Sequence, residues 1–105
     1  IDPKHRLALQ GLGVIAMLQG EAYEALMYLE QVQKLGSPDA DTHLYLGLAY
    51  TALNQTQEAI LEFERAKTLS EDPVQIELVK AHLQKLSMVS QAAEEQGGGE
   101  PKTNP

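Results

Sequence analysis

The chain has 105 residues, a formal net charge of −7, 43% hydrophobic and only 5% aromatic residues, no Trp and no Cys. That length supports one small domain with a modest aliphatic core, too shallow for a two-walled catalytic cavity. The acidic balance argues against nucleic acid and anionic membrane, which need a basic footprint, and the lack of cysteine removes disulfides and thiolate metal sites.

The chain opens on Ile1-Asp2-Pro3 without an initiator Met, so residues 1–4 read as the end of an earlier repeat or a linker. No signal peptide and no apolar run of about 18 residues is present, so no membrane insertion is expected and the cytoplasm is the default compartment. Apolar periodicity predicts five helices, over about 5–19, 22–35, 39–53, 56–69 and 73–95. Asp2-Pro3, Ser37-Pro38 and Asp72-Pro73 each place a hydrogen-bond acceptor before a proline, which has no N–H to leave unpaired at a helix start. Gln75, three residues after Asp72, suggests a capping box. Gly20 and Asn54 tolerate positive φ and are expected to end the first and third helices. Periodicity fades after about Ala93. Residues 97–105, with Gly97-Gly98-Gly99 and two prolines, read as a flexible tail.

Leu12-Gly13 and Leu46-Gly47 lie 34 residues apart. The same register aligns Glu24-Ala25 with Glu58-Ala59, Glu30 with Glu64 and Leu35 with Leu69. Six identities in one ungapped window exceed the roughly two that average composition gives. A fixed period in this range marks stacked repeats. It divides the chain into one unit at 5–38, a second at 39–72 and a capping helix at 73–96. The prolines instead recur every 35 residues, which implies a one-residue difference in how each first turn is entered. Gly13 and Gly47, lacking Cβ, should let each second helix approach its partner closely, with Ala25, Ala59 and Ala66 doing the same from the other side. Leu12, Leu46, Leu29, Phe63, Leu35 and Leu69 should fill the space between neighbours. Ile76, Val79, Leu83 and Leu86 form a stripe that should seat the fifth helix, while Glu77, Lys80 and Gln84 give it the polar outer face of a terminal cap.

Unit two carries Leu46-Gly47, Tyr50, Ala59, Phe63 and Ala66, and unit one carries Leu9, Leu12-Gly13, Ala25 and Leu29. With these residues the chain resembles the tetratricopeptide repeat (TPR) family over about 70 residues. It departs from the pattern at His43, Ala16 and Val32, and at Pro73, which comes two places late. The resemblance implies an all-α fold, a right-handed superhelix (α-solenoid) of helix-turn-helix repeats closed by the capping helix. It also implies a concave groove lined by Leu7, Gln10, Val14 and Met17, then Asp41, Leu44, Leu48 and Thr51, then Gln75, Leu78, His82 and Lys85. Val14, Met17, Leu44, Leu48 and Leu78 would make an apolar strip there, the usual sign of an interaction surface. Family members that grip a chaperone's C-terminal carboxylate use Asn and Lys at places that here hold Val14, Leu48 and Leu44, which cannot donate to a carboxylate.

His5, His43 and His82 fall on different helices with no ligand spacing between them, so no metal site is expected. His43 reads as a half-buried packing residue, His82 as a polar group at the groove edge, and Glu58 and Glu62 as a solvated acidic pair offset by Arg65. No nucleophile–base set, phosphate loop or paired acid and base is present, so no catalytic residue and no cofactor are expected, and the chain reads as a non-enzyme. The expected function is a protein–protein interaction scaffold that holds a partner's peptide or amphipathic helix against Gln10, Val14, Met17, Leu44, Leu48, Thr51, Leu78 and His82. The alternative is a structural module that forms homo-oligomers through the uncapped face of the first helix, at Leu7, Leu9 and Leu12.

Overall fold

A computed structural model describes residues 3–36 and 39–97. It contains α1 (Pro3–Leu18), α2 (Ala22–Lys34), α3 (Ala40–Ala52), α4 (Thr56–Leu69) and α5 (Pro73–Gly97), with no strand among the described residues. The chain is all-α, as its periodicity predicts. Each helix packs against its neighbours in the chain, and α1 also touches α3. The 25-residue α5 spans roughly 37 Å by itself. The tail beyond Gly97, the segment Ser37-Pro38 and the Asp2 cap lie outside the described residues.

The two tight turns match bond for bond. Gly20 (φ 78°) and Asn54 (φ 62°) hold the left-handed conformation that ends α1 and α3. Glu21 N–H donates to the Ala16 carbonyl at 2.8 Å and Gly20 N–H to Met17 at 3.0 Å. Gln55 N–H donates to Tyr50 at 2.9 Å and Asn54 N–H to Thr51 at 3.0 Å. Both are Schellman closures, and they leave the following helix to start without a side-chain cap. The starts of α3 and α5 differ from each other. Asp39, not Ser37, caps α3, accepting from Thr42 N–H at 2.9 Å. Asp72 accepts from Val74 N–H at 3.0 Å, and Pro73 is already the first residue of α5. Proline thus precedes the α3 cap but follows the α5 cap, and this accounts for its 35-residue spacing. The expected capping box does not close: Asp72 N–H donates to Ser70 Oγ at 3.2 Å, and Gln75 is engaged elsewhere.

The glycine pair sets the helix spacing. A Cβ on Gly13 would stand 2.9 Å from Leu29 Cγ, and one on Gly47 would stand 2.7 Å from the Phe63 ring. Leu29 and Phe63 are fully buried, as are Val32 and the alanines Ala25, Ala59 and Ala66 beside them. Around Phe63 gather Leu44, Ala59, Ala66, Val79 and Leu86, with Leu48, Tyr50, Ile60 and Leu83 packed on the outside. This cluster joins α3, α4 and α5. Val79 and Leu86 therefore seat α5 as expected, Leu83 leans on the cluster, and Ile76 is half-buried. Glu77, Lys80 and Gln84 are exposed, with Lys80 Nζ 3.3 Å from Glu77 Oε2.

Three leucines depart from expectation. Leu12 is 43% exposed although its counterpart Leu46 is 1% exposed, because no helix covers that side of α1. Leu69, at the last turn of α4, is exposed rather than filling space between neighbours. Leu9, expected on the uncovered face, is buried on the side of α1 that packs inward, so of Leu7, Leu9 and Leu12 only Leu7 and Leu12 stand open.

Gly47→Ala forces a methyl into the buried Phe63 ring and should lower stability by about 1–3 kcal/mol in urea unfolding, as overpacking does. Gly13→Ala should lower it less, since the Leu29 side chain has more freedom to shift. Equal loss at the two positions would contradict this account of the spacing.

Candidate functional site

Side-chain hydrogen bonds tie α1, α3 and α5 into one row. Gln10 Nε2 donates to Thr42 Oγ1 at 3.2 Å and approaches Asp39 Oδ1 at 3.5 Å, joining α1 to α3. Gln75 Nε2 donates to Asp41 Oδ1 at 2.6 Å, joining α3 to α5. At the Asp39 end of the row, burial pushes the carboxyl pKa up. The hydrogen bonds from Thr42 N–H and Oγ1 and the Arg6 charge outweigh it, leaving a net lowered value.

The eight residues expected to line a groove fall into three groups. Val14, Met17 and Leu48 are half-buried and Leu78 is 49% exposed, so four apolar side chains on three helices remain open to contact. Gln10 spends its amide nitrogen between helices, and Thr51, though exposed, donates its hydroxyl to the Gly47 carbonyl at 2.8 Å, a bond within its own helix. Leu44 and His82 turn inward. Leu44 is 7% exposed within the Phe63 cluster, because α5 closes over it, so it drops out of the strip. The His82 ring stacks on Phe63 with centroids 5.1 Å apart and planes 3° apart.

Sequence reasoning missed a buried polar set on the other side of α3. His43 and Glu62 are both buried, with Nδ1 of His43 2.7 Å from Oε1 of Glu62, and Arg65 Nη1 donates to Glu62 Oε2 at 3.2 Å. Glu62 is therefore not a solvated surface acid. A signal did exist: at the 34-residue offset Glu62 falls on Tyr28 and His43 on Leu9. A buried leucine and a half-buried tyrosine of unit one give way to a hydrogen-bonded pair in unit two. Among the described residues, no group of three or more His, Cys, Asp or Glu side chains could hold a metal ion, and no helix is long and apolar enough to cross a membrane.

Among the described residues, three hollows stand out on the surface. A polar groove of about 550 Å³ runs between α4 and α5, past Glu64, Lys67, Lys80 and Gln84. A shallower one of about 440 Å³ crosses α4 at Leu61, Arg65 and Leu69. A third, of about 410 Å³, gathers Asp39, Asp41, Glu71 and Asp72 at the starts of α3 and α5, where carboxylates complement the helix dipoles. None of the three is lined by Val14, Met17, Leu48 or Leu78, which form a surface strip rather than a pocket. Compared with protein-family models, curated proteins and solved structures, the chain has no match.

Glu62→Ala strips the buried His43 nitrogen of its partner and should cost about 1–3 kcal/mol in unfolding free energy, while Arg65→Ala, at the half-exposed rim, should cost well under 1 kcal/mol. His82 supplies a pH test. Burial, and then the Lys85 charge, hold its pKa below the ordinary 6.5. Between that lowered value and about 6.5 the unfolded chain therefore binds more protons than the folded one. Stability from neutral His82 is complete above the unfolded value and drains away as pH falls through the lowered folded value. Urea midpoints at pH 7.5 and pH 5 should separate more for the natural chain than for His82→Gln; an identical separation would remove His82 from the account.

Proposed function

We propose that this chain is a protein–protein interaction module of the TPR type. Its two helix-turn-helix units and the capping helix α5 form part of a right-handed superhelix. The row of α1, α3 and α5 holds a peptide or an amphipathic helix of another protein. The repeat reading is supported by the 34-residue recurrence of a glycine seat filled by a buried knob, and by turns that match in every hydrogen bond. One observation carries the binding reading. Val14, Met17, Leu48 and Leu78 stay partly open on three helices that side-chain hydrogen bonds join into one row, whereas the open apolar side chains of α2 and α4 (Tyr23, Met27, Leu61 and Leu69) lie on helices outside that row. Open apolar side chains aligned across a rigid row fit the flank of a helix or alternate residues of an extended peptide, and Met17 adapts to irregular shapes. The proposal assigns no catalytic residue and no cofactor to the chain.

Selection of random 12-residue peptides on the immobilised protein should recover sequences with apolar anchors. Val14→Lys and Leu78→Glu should each weaken the captured peptides by about tenfold or more, near 1.4 kcal/mol, with unchanged far-UV circular dichroism. Leu61→Glu, on the outer side of α4, should leave capture intact. Peptides that bind both row variants as tightly as the natural chain would disprove the groove assignment.

A further inference from the structure

His43 is only 6% exposed, yet one of its two ring nitrogens has no partner in the chain. Nδ1 lies 2.7 Å from Glu62 Oε1, and Arg65 Nη1 donates to Glu62 Oε2 at 3.2 Å. Both carboxylate oxygens therefore act as acceptors, which assigns the ring proton to Nδ1. In the neutral ring Nε2 is then a lone-pair acceptor. It is not sealed inside: among the described residues, no enclosed side-chain nitrogen or oxygen lacks a hydrogen bond. Nε2 meets the exterior at the hollow of about 440 Å³ on α4, which His43 lines.

The walls of that hollow are apolar. Leu61 and Leu69 are 51% and 50% exposed, and Thr68 spends its hydroxyl proton on the Glu64 carbonyl at 3.0 Å. The charges at the rim are opposite, Arg65 against Glu64, and Glu64 Oε1 lies 3.3 Å from Lys67 Nζ. The site therefore suits a neutral group. It sits in the middle of the chain, on α3 and α4, with helices before and after them. Met27, one repeat before Leu61, is 51% exposed as well, so this side of the second helix faces outward in both units. Unit one fills the places of His43 and Glu62 with Leu9 and Tyr28. The repeat thus folds without a histidine there, and buried charged pairs commonly give way to apolar ones at no loss of stability. What His43 adds is an acceptor at the base of an apolar hollow.

We infer that this hollow binds a tyrosine side chain of a partner protein. The ring lies between Leu61 and Leu69. The half-exposed Arg65 guanidinium packs on its face, as planar cations do on aromatic rings. The phenolic hydroxyl donates to Nε2 of His43. A phenylalanine or an aliphatic side chain would displace water from Nε2 and leave it unpaired, and a serine would leave the leucines uncovered. Tyrosine joins an apolar body to a donor at its far end. One side chain gives only roughly millimolar affinity, so the hollow acts as a single anchor within a larger contact. It lies outside the α1–α3–α5 row, and the inference is independent of peptide binding there.

Nitrogen-15 NMR of the full chain near pH 8 tests it, with two blocked tripeptides as probes, acetyl-Ala-Tyr-Ala-amide and acetyl-Ala-Phe-Ala-amide. The tyrosine peptide should shift the amides of Leu61, Arg65 and Leu69 and the Nε2 resonance of His43. It should bind at least about fivefold tighter than the phenylalanine peptide. Leu61→Asp, at an exposed position, should abolish its binding. His43→Leu combined with Glu62→Tyr imports the pair of unit one, and the two peptides should then bind alike. The ring-nitrogen resonance needs no substitution, so misfolding of the double variant would not shield the inference. It is overturned by equal binding of the two peptides to the natural chain, by a proton found on Nε2 in place of Nδ1, or by unmoved amides at about 10 mM peptide. p-Cresol should move the same amides. If it binds while the tyrosine peptide is refused, the hollow belongs to free phenols and the protein partner is overturned.

Discussion

Leu29 and Phe63 reach the helix in front of them only because residues 13 and 47 end at Cα. The rest of the packing depends on that approach. With α4 drawn onto α3, the Phe63 ring is fully buried and presents a flat face to His82 on α5. Leu44, Val79 and Leu86 then close around it. One aromatic ring, in a chain with a single Phe, thus fills the glycine seat of its own unit and forms the platform on which the last helix rests. Dense interiors transmit changes of even one methyl group, so a change in the seat reaches α5 through that ring.

The two units repeat a geometry with different chemistry. Leu29 and Val32 in α2 become Phe63 and Ala66 in α4, a larger knob beside a smaller neighbour, and all four are fully buried. At the positions of Leu9 and Tyr28 the second unit carries His43 and Glu62, whose side chains hydrogen-bond to each other. Burying a carboxylate is unfavourable unless its oxygens are satisfied, and Glu62 has both engaged, one by His43 and one by Arg65. The exchange needs both residues together, since either polar group alone beside an apolar partner would be left without a hydrogen bond.

What the sequence discloses is what local chemistry decides. Gly20 and Asn54 mark helix ends because a positive φ is a demand of the residue itself, and the ends of all five helices lie within about two residues of the periodicity reading. Gly13 and Gly47 were readable because an absent side chain at a fixed period has few other uses. Burial set by a distant neighbour was not readable. Leu44 shares its helical position with open groove residues, yet α5 covers it. Leu12 shares its Leu-Gly pair and repeat position with Leu46, but Leu46 is covered by the helix pair before it, and among the described residues Leu12 is not. Glu62 looked like a surface acid because charge usually faces solvent, and only its alignment with Tyr28 placed it inside. In the candidate site, therefore, the positions Val14, Met17, Leu48 and Leu78 were legible, while the inward turn of Leu44 and His82 was decided by Phe63, Val79 and Leu86.

α1 carries three different surfaces on one four-turn rod. Leu9, Gly13 and Ala16 face the core. At 100° per residue, the centre of Gln10, Val14 and Met17 lies roughly 160° around the helix from the centre of Ala8, Leu12 and Ile15. The first of these looks toward the row shared with α3 and α5, and the second away from the rest of the chain. A peptide lying on the row would touch only one of these surfaces. A shallow strip with four open apolar side chains buries little area against the cost of ordering a peptide, so single-site binding there would be weak.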